Sequence, residues 1–200
     1  MTTQKLPYSL GWIMAEAIET LKDPRGAAAR MMKLGLPVPV LWQALALVVT
    51  VSVLLGQGTL LLTAGDGAAL VIMPLPLALL QFALLGVMVL AIHTIGRAMG
   101  GVGGFDGALT LVVWLQIVMV CLQLVQSVSF LLIPPFAVVL GYAGLILFLW
   151  LLTNFVAVLH GFQSLGVVFV MILMSAFAIA FVISLLLAIV GVVPPGGLNV

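Results

Sequence analysis

The side chains able to carry chemistry in this 200-residue chain are few, and they fall into two groups. The first gathers at the ends of apolar runs. His93 and Arg97 are one helical turn apart, Gly100-Gly101-Val102-Gly103-Gly104-Phe105-Asp106 follows, and Asn154, His160 and Gln163 close a later run. Two imidazoles, a guanidinium, a carboxylate and amides meeting at one membrane face would offer proton donors and acceptors, anion contacts or metal ligands. A zinc site wants three or four ligands, and only His93, His160 and Asp106 qualify, from separate segments, so no metal is expected. The second group is Gln116, Gln123 and Gln126, whose spacings of seven and three place them on one helical stripe near Ser127 and Ser129. Such a stripe can line a polar pathway. The favoured reading is amide hydrogen bonding between helices, worth about 1 kcal/mol or less per contact. No carboxylate or lysine accompanies it within the apolar run, which argues against an ion-coupled pump.

Catalytic signatures are missing from the chain. It has no GxSxG elbow, no HExxH, no Walker loop and no paired carboxylates within the apolar body. Cys121 lies inside an apolar run, where a thiolate is disfavoured, and reads as a packing residue. The glycine run lacks the preceding strand and the Lys-Ser/Thr of a phosphate cradle, and reads as a flexible loop that lets two helices approach. No catalytic residue and no cofactor is expected. A membrane enzyme centred on His93 and His160 is the weakest of the alternatives.

The elements that position these residues follow from composition. The chain is 65% apolar and 6% charged, with a mean hydropathy of +1.45, against roughly half apolar and a quarter charged in soluble domains. It is therefore an integral membrane protein. A single cysteine excludes a disulfide scaffold, and a net charge of +1 leaves no basic surface for nucleic acid. Eight charged residues, Lys5 to Lys33, precede residue 36, and only Asp66, Arg97 and Asp106 follow. The opening MTTQKLPYSL does not have the form of a cleavable signal, so no cleavage is expected.

A helix needs about 20 apolar residues to cross ~30 Å of hydrocarbon. Five runs meet this, at about 40–63, 74–96, 108–132, 136–159 and 166–191, broken by AGDGAALVIMP, GRAMGGVGGFDG, IPPF and HGFQSLG. The fold class is all-α, a bundle of five transmembrane helices preceded by short amphipathic interfacial helices. Pro134-Pro135 reads as a turn, with a kinked re-entrant pair as the alternative. A β-barrel loses because the runs are long and unalternated. Five of the six basic residues precede the first span and the sixth, Arg97, lies between spans two and three, so these segments face the cytoplasm and the C-terminus the periplasm. Trp42 suits an interfacial belt; Trp114 and Trp150 lie deeper.

Residues 1–35 form a cytoplasmic or interfacial segment, and 36–200 the membrane domain. Ser9 can cap a first helix whose apolar face is Leu10, Ile13, Met14, Ala17, Ile18 and Leu21, opposite Glu16, Glu19 and Lys22. Asp23-Pro24 ends it and starts another, with Asp23 as N-cap and Gly35 as the stop. Arg25, Arg30 and Lys33 give that second helix a basic side, expected at anionic headgroups, with a protein-docking face as the lesser reading.

Three stretches carry a family resemblance. Thr20-Leu21-Lys22-Asp23-Pro24-Arg25-Gly26-Ala27, then Ile95-Gly96-Arg97 with the glycine run through Phe105, then Trp150 followed by Val158-Leu159-His160-Gly161-Phe162-Gln163-Ser164, resemble the bacterial branch of the Ypt-interacting-protein (YIP) domain family. The resemblance covers almost the whole chain and implies five membrane helices with a cytoplasmic N-terminus. Eukaryotic relatives are associated with Rab GTPases, vesicle traffic and membrane shaping. This chain lacks their long acidic-aromatic N-terminal region, and GTPase binding is not carried over. The expected function is that of a non-enzymatic inner-membrane accessory, organising or membrane-shaping subunit. Its expected partners are membrane lipids and another integral membrane protein or complex. Arg25, Arg30, Lys33, His93, Arg97, Asp106 and His160 are its candidate lipid or partner contacts on the inner face. The alternative is a small transporter or lipid-handling protein using Gln116, Gln123 and Gln126.

Overall fold

A computed structural model describes residues 9–63 and 73–189; the loop containing Asp66, the first eight residues and the C-terminal PPGGLNV lie outside them. Every regular element among the described residues is α-helical. Two short helices, α1 (Leu10–Lys22) and α2 (Pro24–Met32), precede five long ones: α3 (Val38–Thr63), α4 (Pro74–Ala98), α5 (Phe105–Leu132), α6 (Pro134–His160) and α7 (Leu165–Ile189). The five long helices are each long and apolar enough to cross a membrane. Their almost uniform apolarity is what a bilayer demands, because an α-helix satisfies its backbone polar groups within one segment.

Local signals in the sequence set the helix ends. Ser9 Oγ accepts from the Trp12 amide at 3.2 Å, and Asp23 Oδ1 from the Gly26 amide at 2.9 Å. Pro24 occupies the first turn of α2, where a missing N–H costs nothing. Gly35 follows α2 with φ +57°, a left-handed conformation that favours glycine. The IPPF break is shorter than a loop: Ile133 alone separates α5 from α6, and both prolines lie in the first turn of α6.

The bundle is arranged around α5, more than half of whose most apolar window is buried. It packs against α3, α4 and α6, and also against α1 and α2, while α7 leans on α6. Leu109, Leu115 and Val112 of α5, Leu41, Leu45 and Val49 of α3, and Leu151 and Phe155 of α6 form the buried centre. Trp42 packs between Phe82 of α4 and Phe105 of α5, at centroid distances of 5.5 and 6.4 Å.

The N-terminal hairpin packs against α5 and α6. Trp114 Nε1 donates to Thr20 Oγ1 at 3.1 Å, both groups being buried, and Thr20 in turn donates to the Glu16 carbonyl at 2.7 Å. Farther along α5, Cys121 Sγ lies 3.8 Å from Met14 Sδ. Cys121 is sixteen residues beyond Phe105, about 24 Å along the helix axis. α1 therefore lies along the side of α5 from Trp114 to Cys121. A buried tryptophan N–H needs a partner, and Thr20 supplies it. The apolar face expected of α1 divides accordingly: Ala17 is buried against the bundle, Met14 is half-exposed at the edge beside Cys121, and Leu10, Ile18 and Leu21 stay exposed.

This packing is open to direct test, since Cys121 is the only native cysteine. Introducing Met14→Cys should give an intramolecular disulfide with Cys121 under mild oxidant in native membranes, seen as a two-dalton mass loss. Ile18→Cys, which faces outward, should remain unlinked.

Candidate functional site

Where α4 and α6 end and α5 begins, one histidine organises the chain around it. His160 is the last residue of α6, and its ring is buried. The Gly103 amide donates to Nδ1 at 3.2 Å, and Nε2 lies 3.0 Å from the Ile92 carbonyl. An imidazole that accepts at Nδ1 and faces a carbonyl at Nε2 is the neutral tautomer with the proton on Nε2. The Val102 amide adds a contact to the His160 carbonyl at 3.4 Å. Phe162 stacks on the ring at 5.5 Å.

Glycine makes this seat possible. A β-carbon on Gly96 or Gly101 would run into the imidazole, and one on Gly103 would lie 2.6 Å from Leu159 Cγ and 2.8 Å from His160 Cε1. Gly107, one turn into α5, is equally constrained, with Leu159 Cδ1 2.7 Å from the place of its β-carbon. Gly100 serves a different purpose. At φ +87° it closes α4 in a Schellman arrangement, Gly101 N–H to Gly96 C=O at 2.9 Å and Gly100 N–H to Arg97 C=O at 3.0 Å. The glycine run, expected as a flexible loop, is thus a hydrogen-bonded socket closed around a side chain.

The other candidates at this end do not join the socket. His93 stands edge-on to Phe105 at 6.0 Å, and its buried Nδ1 has no hydrogen-bond partner among the described residues. Arg97 is exposed and forms no ion pair among the described residues. Asp106 is exposed in the first turn of α5, where a carboxylate suits the helix dipole. Asn154 is buried and turns back to the Trp150 carbonyl at 2.8 Å. Among the described residues, no three His, Cys, Asp or Glu side chains converge as metal ligands.

On α2, Arg25 and Lys33 are exposed, and the partly exposed Arg30 is paired within the hairpin. Its Nη2 lies 2.6 Å and its Nε 2.7 Å from Glu16 Oε1, and Nη1 is 3.8 Å from Asp23 Oδ2. The pairing closes the α1–α2 hairpin symmetrically about Asp23. A carboxylate 15% exposed at its side chain would be costly without such a partner.

The glutamine stripe splits. Gln123 clasps Ser52 of α3 twice, Nε2 to the Ser52 carbonyl at 2.9 Å and Oε1 from the Ser52 hydroxyl at 2.8 Å. Gln126 turns to α6 and donates to the Ala137 carbonyl at 3.2 Å. Thr59 of α3 and Ser127 bond at 2.8 Å beside them. Gln116 is half-buried. Two amides that leave α5 for different neighbours act as adhesive between helices rather than as one continuous lining.

Sequence reasoning brought His160 and the glycine run to the same face but missed that one encloses the other. It also missed Thr20 as a buried partner. The only advance signal for the socket was the density of glycines at 96, 100, 101, 103 and 104 opposite a histidine at a helix end.

A family model for the Yip1 domain matches residues 18–188. No curated protein and no solved structure matches.

The socket predicts a coupled pair of substitutions. Gly101→Ala should destabilise the protein by about 1–3 kcal/mol through overpacking. Combined with His160→Ala, the loss should be clearly less than the sum of the two single losses, because the clash is removed with the ring. Thermal unfolding of the four proteins in one detergent checks this.

Proposed function

Because this chain belongs to the Yip1 domain family, we propose that it is a non-enzymatic accessory or organising subunit of the cell inner membrane, acting through protein and lipid contacts. The observation that carries the reading is where the membrane domain spends its polar side chains. Gln123, Gln126 and His160 each hold one helix, or a helix end, to another, and Glu16 and Arg30 hold the hairpin together. What faces outward is apolar: the Leu10, Ile18 and Leu21 stripe of α1, and Phe177 and Phe181 of α7. Helices in lipid associate through close packing and scattered hydrogen bonds, so broad apolar faces suit lateral partners in the bilayer. The divergence of Gln123 and Gln126 favours this role over solute transport.

The same reading puts the N-terminus in the cytoplasm and the C-terminus in the periplasm. Lys33 and Arg97 are exposed at the end of the bundle that carries the His160 socket, and basic residues flanking spans favour the cytoplasmic side. Arg25 adds a third exposed cation on α2. On an anionic inner leaflet each such cation is worth about 1 kcal/mol near the surface.

Extraction of the tagged full-length protein from its native membrane in a mild detergent, followed by native mass measurement, tests the role. The expected result is a protein partner in fixed stoichiometry. Ile18→Arg, on the outer stripe of α1, should reduce its recovery several-fold with little change in thermal stability. Recovery of the chain alone in every mild detergent would contradict the role.

A further inference from the structure

His160 is one of two histidines in the chain, and the seat that encloses it fits one protonation state. Nδ1 accepts from the Gly103 amide at 3.2 Å while Nε2 meets the Ile92 carbonyl at 3.0 Å. A second proton on the ring can go only to Nδ1, where it would face the Gly103 N–H and remove that bond. The ring has no room to turn instead, because the backbone at Gly96, Gly101 and Gly103 lies against it. Little around it favours a positive charge. On α4, His93 and Arg97 flank Ile92 and Gly96, the two residues of that helix that meet the imidazole. On α5, Asp106 is exposed, and among the described residues no carboxylate oxygen lies within 4 Å of either histidine. α2, packed on α6, brings Arg25, Arg30 and Lys33 along with Asp23, and Glu16 of α1 is already paired with Arg30. α3 and α7 carry no charged residue. Phe162, stacked on the ring, is the one contact that a cation would strengthen.

We propose that the His160 socket is an acid-opened latch on the connection between α4 and α5: the neutral imidazole holds Gly103, and the protonated one releases the loop and the end of α6. Release there has consequences for three helices. The same ring ties α6 to α4 through Ile92 and to the entry of α5 through Gly103, and the Val102 amide rests on the His160 carbonyl at 3.4 Å. An imidazole outside the socket takes up its proton near pH 6.5. At pH 7.5 about nine in ten open sockets therefore hold a neutral ring, and closing requires no proton loss. At pH 5.5 about nine in ten open rings are charged and must shed that proton to close, which favours opening about ten-fold more. The latch does not depend on the organising role proposed above.

The test is hydrogen–deuterium exchange of the purified full-length protein in detergent at pH 7.5, 6.5 and 5.5, each rate divided by that of an unstructured peptide at the same pH. Protection across residues 99–106 should fall about ten-fold from pH 7.5 to 5.5, while residues 109–118 in the buried part of α5 keep theirs. His160→Asn puts an amide oxygen near the place of Nδ1, where it can accept from Gly103 without titrating. Its protection should not change with pH. His93→Gln should show the same fall as the parent. If His160→Asn fails to fold, the parent and His93→Gln decide, since the chain has no third histidine. Equal protection at all three pH values, a fall that His93→Gln abolishes or His160→Asn retains, or a loss of protection that spreads through α5 would each overturn the proposal.

Discussion

A neutral imidazole at the end of α6 sets how closely three helices can meet. His160 uses both ring nitrogens, one toward the Gly103 amide and one toward the Ile92 carbonyl, and so ties α6 to the end of α4 and to the loop that enters α5. Buried inside the protein, each of these groups would be expensive to leave unpaired. The glycines follow from that economy. Only residues without a β-carbon at 96, 101 and 103 let the backbone come near enough to reach the ring. Polar satisfaction and close packing are here one constraint, and the antiparallel arrangement of α4, α5 and α6 depends on it.

The same logic recurs at the N-terminal hairpin. Trp114 is buried within the bundle, and its N–H is met by Thr20 of α1. That single bond gives α1 a reason to lie along the bundle rather than only on the surface. Glu16 and Arg30 then neutralise each other inside the hairpin, which leaves an outer stripe that is wholly apolar. A segment that reads as a basic amphipathic helix is thus also packed against the bundle, with Lys22, Arg25 and Lys33 among its exposed cations.

Periodicity and composition made the helices legible, because the bilayer enforces long apolar runs and the caps at Ser9, Asp23 and Gly35 are local chemistry. The resemblance to the YIP family was legible for a similar reason: its motifs are short stretches of loop and helix end. The interior of the site was not. Nothing in the spacing of Gly101 and His160, 59 positions apart in the chain, states that one will enclose the other. A glycine run has the same composition whether it is flexible or locked. The spacing of the glutamine stripe suggested amide bonding between helices but not which neighbour each amide meets, because helical phase places Gln123 and Gln126 on one side of α5 and amides are long enough to reach different helices from there. Thr20 carried no signal at all, since a threonine on an amphipathic helix is equally at home on a wet face.

The central claim is that the segment joining α4 to α5 is a locked socket and not a flexible connection. Hydrogen–deuterium exchange across residues 99–106 of the protein in a lipid bilayer tests it most directly. The amides of Gly101, Val102 and Gly103, bonded to Gly96, to the His160 carbonyl and to the His160 ring, should exchange as slowly as the neighbouring helix ends. Complete exchange of all three at the rate of an unstructured peptide would contradict the account.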